Sequence, residues 1–263
     1  TGIKDSSVLI YPTSGYGDPA LLRNILSIEK PDAIMLITDP RYFEWLFQIE
    51  NEIRKTTPII YLNIWDNYPA PSYNKEFYES CDALLGISKQ TTNINKLVLR
   101  EKADGKVIDY IPHGVSSKYY FPIKKDNSEL VEFRNQLLGG KEKEFVLLFN
   151  SRNIRRKSIP DTMFAWKCFI DKLSKEEADK CALVLHTQPT DQNGTDLIAV
   201  RDYLFGDGYE GIIFSTNRLP INHMNLLYNS SDAQILLSSN EGWGLSLTEA
   251  LLVGNPIIAN VTG

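Results

Sequence analysis

What most constrains the fold of this chain is a rhythm: apolar runs of three to six residues alternate with longer amphipathic stretches through all 263 residues. Runs that short span a strand, and the stretches between them carry helical spacing, so the pattern builds βαβ units and parallel sheets. In the first half the runs 8–11, 33–38, 59–64, 83–88 and 107–111 read as strands. Helices are expected at 19–29, 41–55, 75–80 and 91–101, each opened or closed by Asp, Pro, Ser or Asn. The second half repeats the scheme, with strands at 145–149, 182–186, 212–214, 233–237 and 257–259. Two Rossmann-like domains follow from this. The polar stretch after Pro112-His113-Gly114-Val115, with a short helix near 130–138, marks the division. It gives an N-terminal domain over 1–120, a linker over 121–143 and a C-terminal domain over 144–263.

Composition excludes several classes. A hydrophobic content of 43% supplies one large core or two modest ones. The net charge of −5, with Arg155-Arg156-Lys157 as the densest basic run, argues against a nucleic-acid partner. Cys81, Cys168 and Cys181 lack metal-ligand or redox spacing, so buried thiols in a reducing, cytoplasmic setting are expected, without zinc. No apolar run approaches the roughly 18 residues of a membrane span, and TGIKDSS does not form a signal peptide. The expected protein is soluble or, at most, peripheral to a membrane.

Function is most legible near the C-terminus, in SSNEGWGLSLTEALLVGNPIIANVTG, where Glu241 and Glu249 bracket a Gly242-Trp243-Gly244 turn. A buried strand precedes the turn and a helix over 245–253 follows it, at the strand end where open α/β sheets bind ligands. If residues 241–249 were all helical the two carboxylates would lie about 12 Å apart on different faces. The glycines favour a loop for the first half instead, which brings both carboxylates to the ligand edge. Free N–H groups near Leu245 and Ser246 lie between them and suit an anion. Hydroxyls at both ends of a ligand and phosphates in its middle match that arrangement, as in a nucleotide sugar. The alternative is a pair of solvated glutamates beside a helix start. A second polar loop, Asn150-Ser-Arg-Asn-Ile-Arg-Arg-Lys157-Ser, follows the strand 145–149 and precedes a helix containing Met163, Trp166 and Phe169. It is either a phosphate cradle or an exposed basic loop.

Glu241 to Glu249 with the following Ala250-Leu-Leu-Val-Gly-Asn-Pro-Ile-Ile resembles the E-x7-E motif of retaining GT-B glycosyltransferases, specifically family 4, glycosyl transferases group 1. The resemblance implies two Rossmann-like domains facing a cleft, both incomplete here, since the chain looks cut at each end. It implies that Glu241 binds sugar hydroxyls, that Glu249 binds the ribose diol, and that Arg152 and Lys157 hold the donor diphosphate. Gly242, Trp243, Gly244, Leu245 and Ser246 would line the donor site, and Asn217 would lie near the base. It further implies metal-independent transfer without a cofactor, by front-face attack, to an acceptor such as a glycan or lipid-linked glycan. No Asp-x-Asp triplet stands in the sequence.

In Pro58-Ile-Ile-Tyr-Leu-Asn-Ile-Trp65-Asp66-Asn67-Tyr68-Pro69 the family's His-Asp pair is replaced by Trp65-Asp66. Asp66 is then either a sugar or acceptor contact or a turn residue before Pro69. Ser14-Gly-Tyr-Gly17-Asp18 lacks phosphate-loop spacing and reads as a turn before a helix. The competing functions are a sugar-nucleotide-binding module without transfer activity and a GT-B epimerase. A phosphorylase would need a pyridoxal-phosphate lysine segment, and none is recognisable.

Overall fold

The computed structural model describes residues 8–262, which divide into two compact units, one ending at Pro112 and the other beginning at His113. In the first unit, α1 (Pro19–Glu29) precedes β1 (Ile34–Ile37). A 3-10 turn (Pro40–Phe43), α2 (Glu44–Phe47) and α3 (Glu50–Ile53) lead to β2 (Ile59–Asn63). Then come α4 (Lys75–Ser80), β3 (Ala83–Gly86), α5 (Lys89–Leu99) and β4 (Val107–Tyr110). The four strands are parallel in the order β1-β2-β3-β4. Leu36, Ile59, Tyr61 and Leu84 fill one face beneath Leu46, Ile53, Tyr78, Ile94 and Val98. On the other face one register row, Met35–Ile60–Ala83–Val107, ends in exposed Met35 and Val107.

Two expectations fail in this unit. Residues 8–11 pair with no strand, and Val8, Leu9 and Ile10 are exposed. A four-residue apolar run needs a neighbouring strand edge to satisfy its backbone, and β1 pairs only with β2 among the described residues. The single helix expected over 41–55 is three short pieces. Asp39 caps Arg41 N at 3.0 Å to open a 3-10 turn, and Ile49 N bonds Leu46 O at 3.1 Å in a tightened, i to i+3 step that interrupts the α-helix. The Gly15–Gly17 segment is a turn, and Asp18 caps α1 through the N–H groups of Ala20 and Leu21.

The second unit holds α6 (Ser128–Leu137), β5 (Phe145–Asn150), α7 (Ile159–Ile170), α8 (Lys175–Asp179), β6 (Cys181–His186) and α9 (Leu197–Phe205). They are followed by β7 (Ile212–Ser215), α10 (Ile221–Asn229), β8 (Ala233–Leu236), α11 (Leu245–Leu252) and β9 (Ile257–Ala259). Its five parallel strands run β7-β6-β5-β8-β9. This sheet is covered on both faces, which is why β5 and β6 read as continuous apolar runs. Leu147, Phe149, Leu183 and Leu185 pack on Ile159, Met163 and Trp166. Val146, Leu148, Ala182 and Val184 pack on Leu227, Tyr228, Ala250 and Val253.

Residues 121–143, expected to be a linker, pack onto this second unit. Leu130 and Leu138 are buried, as is Tyr120 just ahead of them, and the Asn225 and Asn229 side chains accept from Phe121 N at 3.1 Å and Ile123 N at 2.7 Å. Buried amides that satisfy backbone N–H groups turn a polar stretch into part of the domain. Cys81 and Cys181 are buried as expected, but Cys168 is exposed. Among the described residues no helix is long and apolar enough to cross a membrane.

A local device recurs in both units. A helix ends in Ser-x-Asp, and the aspartate accepts from a backbone N–H at the start of the adjacent strand: Asp82 from Ile59 N and Asp232 from Val146 N, each at 2.8 Å. Arg54 braces Asp82 with its Nη2 at 2.8 Å. Burial pushes the Asp82 carboxyl up, but the Arg54 hydrogen bonds and the Ile59 N–H outweigh it and hold it below its ordinary value. Asp82→Ala orphans the N–H of fully buried Ile59 and should lower stability at pH 7 by about 1–3 kcal/mol in urea unfolding. A lowered carboxyl contributes stability that is complete above its unfolded pKa and is lost as pH falls through its folded one. The deficit should therefore narrow in acid, and a pH-independent deficit would contradict the assignment.

Candidate functional site

The strand order of the second unit creates a topological switch point. From β5 the chain winds outward through β6 and β7, then returns to place β8 on the other side of β5. The connections after β5 and β8 therefore leave in opposite directions and open a crevice at their carboxyl ends. The loops bearing Lys157 and Glu241 are these two connections. They are stitched together by Ser239 N to Arg156 O at 2.8 Å and by Arg156 Nη1 to Asn240 O at 2.7 Å.

Lys157 Nζ donates to Glu241 Oε1, with both residues below a tenth exposed. Ser238 Oγ donates to the same oxygen at 2.6 Å, and Arg156 Nη1 lies 3.3 Å from Glu241 Oε2. Burial pushes the Glu241 carboxyl up, yet the hydrogen bonds from Lys157 and Ser238 and the nearby cations hold it below its ordinary range. It is an anion at neutral pH. A carboxylate offers about four acceptor sites, and these donors leave about one for another hydroxyl. Ser158, next in the chain, enters α7 at φ 47° in the left-handed region. That conformation costs an L-residue about 1–2 kcal/mol, strain of the kind that gathers at functional sites.

On the other loop, Gly244 sits at φ 76° before α11, where a Cβ would lie 3.3 Å from Leu247 Cδ1. No side chain caps α11, so the first-turn N–H groups at Leu245 and Ser246 remain available to a ligand. Trp243 Nε1 donates to Thr248 Oγ1 at 3.0 Å, closing the Gly242–Gly244 turn against the helix. Glu249, half-buried, accepts from the Tyr228 hydroxyl, which in turn accepts from Asn150 Nδ2 at 2.7 Å.

Arg152 goes elsewhere. It forms a two-pronged bond to Asp191, with Nε–Oδ2 at 2.8 Å and Nη2–Oδ1 at 3.2 Å, and is largely exposed. It lines a cavity of about 600 Å³ with Asn150, His186, Gln188, Asn217 and Arg218 at the ends of β5, β6 and β7. His186 Nδ1 lies 2.9 Å from Ser215 Oγ, and burial lowers its pKa, favouring the neutral imidazole. Buried Asn153 holds the far wall, donating to the carbonyls of Gln188, Pro189 and Thr195.

The structure thus brings Lys157, Arg156 and Glu241 together and sets Arg152 apart with Asp191. Reading the sequence missed Arg156 as a partner of Glu241, and also Ser238, Tyr228, Asn150 and Asp191. Arg156 carried a signal, since three basic residues in a row left the register open. The others did not. In the first unit, half-buried Asp66 follows β2 in a loop fixed by buried Asn63, whose Oδ1 accepts Trp65 N at 3.0 Å. Thr91 Oγ1 donates to Trp65 O at 2.8 Å. Among the described residues no group of three or more His, Cys, Asp or Glu is placed to hold a metal ion.

No family model matches the chain, and no curated protein matches it. Solved structures do. Sucrose-phosphate synthase from Thermosynechococcus elongatus is 16% identical with a TM-score of 0.65, the match covering 92% of this chain and 59% of that one. An E. coli trehalose-6-phosphate structure bound with UDP-2-fluoro glucose is 15% identical with a TM-score of 0.67, covering 91% and 61%. The pneumococcal O-GlcNAc transferase GtfA in complex with UDP and GlcNAc is 14% identical with a TM-score of 0.58, covering 93% and 45%. The likeness shows the fold, two parallel-sheet Rossmann-like domains of the GT-B kind. The chain spans between 45% and 61% of the length of these three proteins.

Lys157→Met removes the closest counter-charge of a buried carboxylate and should cost about 3–5 kcal/mol in denaturant unfolding. Adding Glu241→Gln should recover much of that loss, because the second change removes the stranded charge. A double variant no more stable than Lys157→Met would mean the pair is not electrostatically coupled.

Proposed function

We propose that the second unit is the donor site of a retaining glycosyltransferase of GT-B family 4, which moves a sugar from a nucleoside-diphosphate sugar to an acceptor hydroxyl without metal or cofactor. The observation that carries this reading is the pairing, at one switch point, of buried Lys157 and part-exposed Arg156 with a buried carboxylate beside an uncapped helix N-terminus. Lys157, Arg156 and the N–H groups at Leu245 and Ser246 suit a diphosphate. Glu241, with about one acceptor site unused, suits a sugar hydroxyl. Glu249 suits the ribose diol, and the cavity lined by Asn217, His186 and Arg152 suits a base. Two of the similar structures hold UDP-2-fluoro glucose or UDP with GlcNAc, which supports a nucleotide sugar as the ligand.

In this reading the bond between the anomeric carbon and the diphosphate oxygen breaks, its electron pair passing to the departing phosphate. The acceptor oxygen bonds to the anomeric carbon from the same face, and its proton goes to the leaving phosphate. Fixed cations stabilise that developing charge more than they stabilise the ground state. Lys157 is held in place before the donor arrives, so little reorganisation is needed when the bond breaks. Asp66 is assigned to the acceptor, a glycan or lipid-linked glycan, through its hydroxyls.

Thermal unfolding with UDP, GDP, ADP and their sugar conjugates tests the donor site, because a ligand at 100 times its Kd adds about 2.7 kcal/mol of stability. One base should raise the Tm, equally with and without EDTA, and no shift with any of them would overturn the reading. Where turnover is measurable, Lys157→Ala should lower it by about 10²–10³, the cost of losing one transition-state donor. Unchanged turnover would move the charge-stabilising role to another cation. Binding without turnover would leave the chain a nucleotide-sugar-binding module.

A further inference from the structure

Glu249 does not stand alone. Its carboxylate is backed by phenols from two separate segments, Tyr228 on α10 and Tyr120 from the stretch ahead of α6. Tyr228 is fully buried and donates to Glu249 Oε2. Tyr120, nearly buried, packs edge-on against the Tyr228 ring with centroids 5.8 Å apart. Burial raises the pKa of both phenols, and the facing Glu249 carboxylate raises them further, Tyr120 to about 12. Both keep their protons at neutral pH and can act as donors.

A phenol has one proton to give. That of Tyr228 goes to Glu249, so its oxygen is left to accept, and Asn150 Nδ2 donates to it at 2.7 Å. The chain Asn150–Tyr228–Glu249 therefore has a fixed direction from the end of β5 through α10 to α11. Asn150 also lines the cavity assigned to the base. A long acidic side chain on a half-exposed helix would otherwise populate several rotamers, and ordering it on ligand binding would cost conformational entropy.

Resting on the donor-site reading above, we infer that Tyr228, seconded by Tyr120, is a positioning residue that fixes the Glu249 carboxylate and so makes the site select a ribose diol over deoxyribose. Tyr228 takes one of the acceptor sites of this half-buried carboxylate, and the sites left over are what a sugar diol would donate to. Selection arises because a diol meets acceptors already aimed at it, whereas a dideoxy sugar leaves them without donors. Tyr228 touches neither the sugar nor the phosphates in this arrangement. Its effect on the diol passes through Glu249, while its bond from Asn150 reaches the cavity assigned to the base.

The test compares whichever of UDP, GDP or ADP binds with its 2′,3′-dideoxy counterpart, by calorimetry, in wild type and in Tyr228→Phe. The Phe variant keeps the ring, its packing against Tyr120 and the core. Wild type should bind the ribo form more tightly, and Tyr228→Phe should shrink that preference by about tenfold, the value of one hydrogen bond to a charged group. Any loss through Asn150 falls on both forms alike, so the change in the ratio of their affinities is the readout that a merely structural role would not move. Equal weakening of both ligands, or an undiminished preference, overturns the positioning role while leaving the donor site standing. A wild type without ribose preference overturns the role of Glu249 and this inference with it. A wild type that binds none of the three nucleotides overturns the donor-site reading itself. If Tyr228→Phe loses cooperative unfolding, Tyr120→Phe carries the same readout and should shrink the preference by a smaller factor.

Discussion

The second unit depends on β5 pairing in parallel with β8, a contact between strands separated by three intervening βα crossings. Leu147 and Leu148 lie in register with Ala233 and Gln234, and Asp232 anchors the start of the pairing through Val146 N. The loops that follow these two strands meet again at Arg156–Lys157 and Ser239–Glu241. That proximity allows Arg156 to reach Asn240 and Lys157 to reach Glu241, joining residues 84 apart in sequence. The charge cluster is thus a product of strand order more than of either loop. A sheet wound in one direction would carry the same residues without bringing them together.

The cluster also explains how the fold tolerates two buried charged side chains, Lys157 and Glu241, with part-exposed Arg156 beside them. An isolated buried cation would lose its proton or stay exposed, and an isolated buried carboxylate would be driven neutral. Together each removes most of the other's desolvation cost, with Ser238 supplying a further donor to Glu241. A ligand phosphate arriving at Lys157 would enter a cluster in which Glu241 balances one of the two cations and leaves one positive charge over. In the donor-site proposal, affinity would rest on the partial positive charge of the α11 N-terminus and on Arg156 as well as on Lys157. Arg152, tied to Asp191 at the rim of the neighbouring cavity, shapes a different wall.

Much of this fold is visible in the sequence, because parallel strands covered on both faces are continuous apolar runs and their connections are capped by Asp, Asn and Ser. Nine of the ten expected strands form, and 8–11 fails because an apolar run does not reveal whether an edge is available to it. The broken helix over 41–55 was hidden for a related reason, since Ile49 fits a helix by type and leaves it only through its tertiary setting. At the candidate site, glycine and glutamate spacing pointed to the loop after β8, which the structure joins to Lys157 through Glu241. The spacing of Arg152 and Lys157 could not show that one turns to Asp191 and the other to Glu241. Tyr228 was invisible, because a tyrosine on the apolar face of α10 looks like core and its hydroxyl matters only once Asn150 and Glu249 flank it.

The Ser-x-Asp device shows how one local solution serves unequal ends. In each unit an aspartate after a helix satisfies the first N–H groups of the neighbouring strand, so a strand can begin deep in the sheet without an orphaned donor. In the first unit this fixes β2, whose far end carries Asn63 and the Trp65-Asp66 loop. In the second it fixes β5, whose far end carries Asn150 and the loop to Lys157. Register set at the amino end of a strand is carried to its carboxyl end, because the residues between are paired with a neighbouring strand on one side or both. A functional loop on a parallel sheet is therefore positioned from the opposite edge, some five residues away, by a side chain that never meets a ligand.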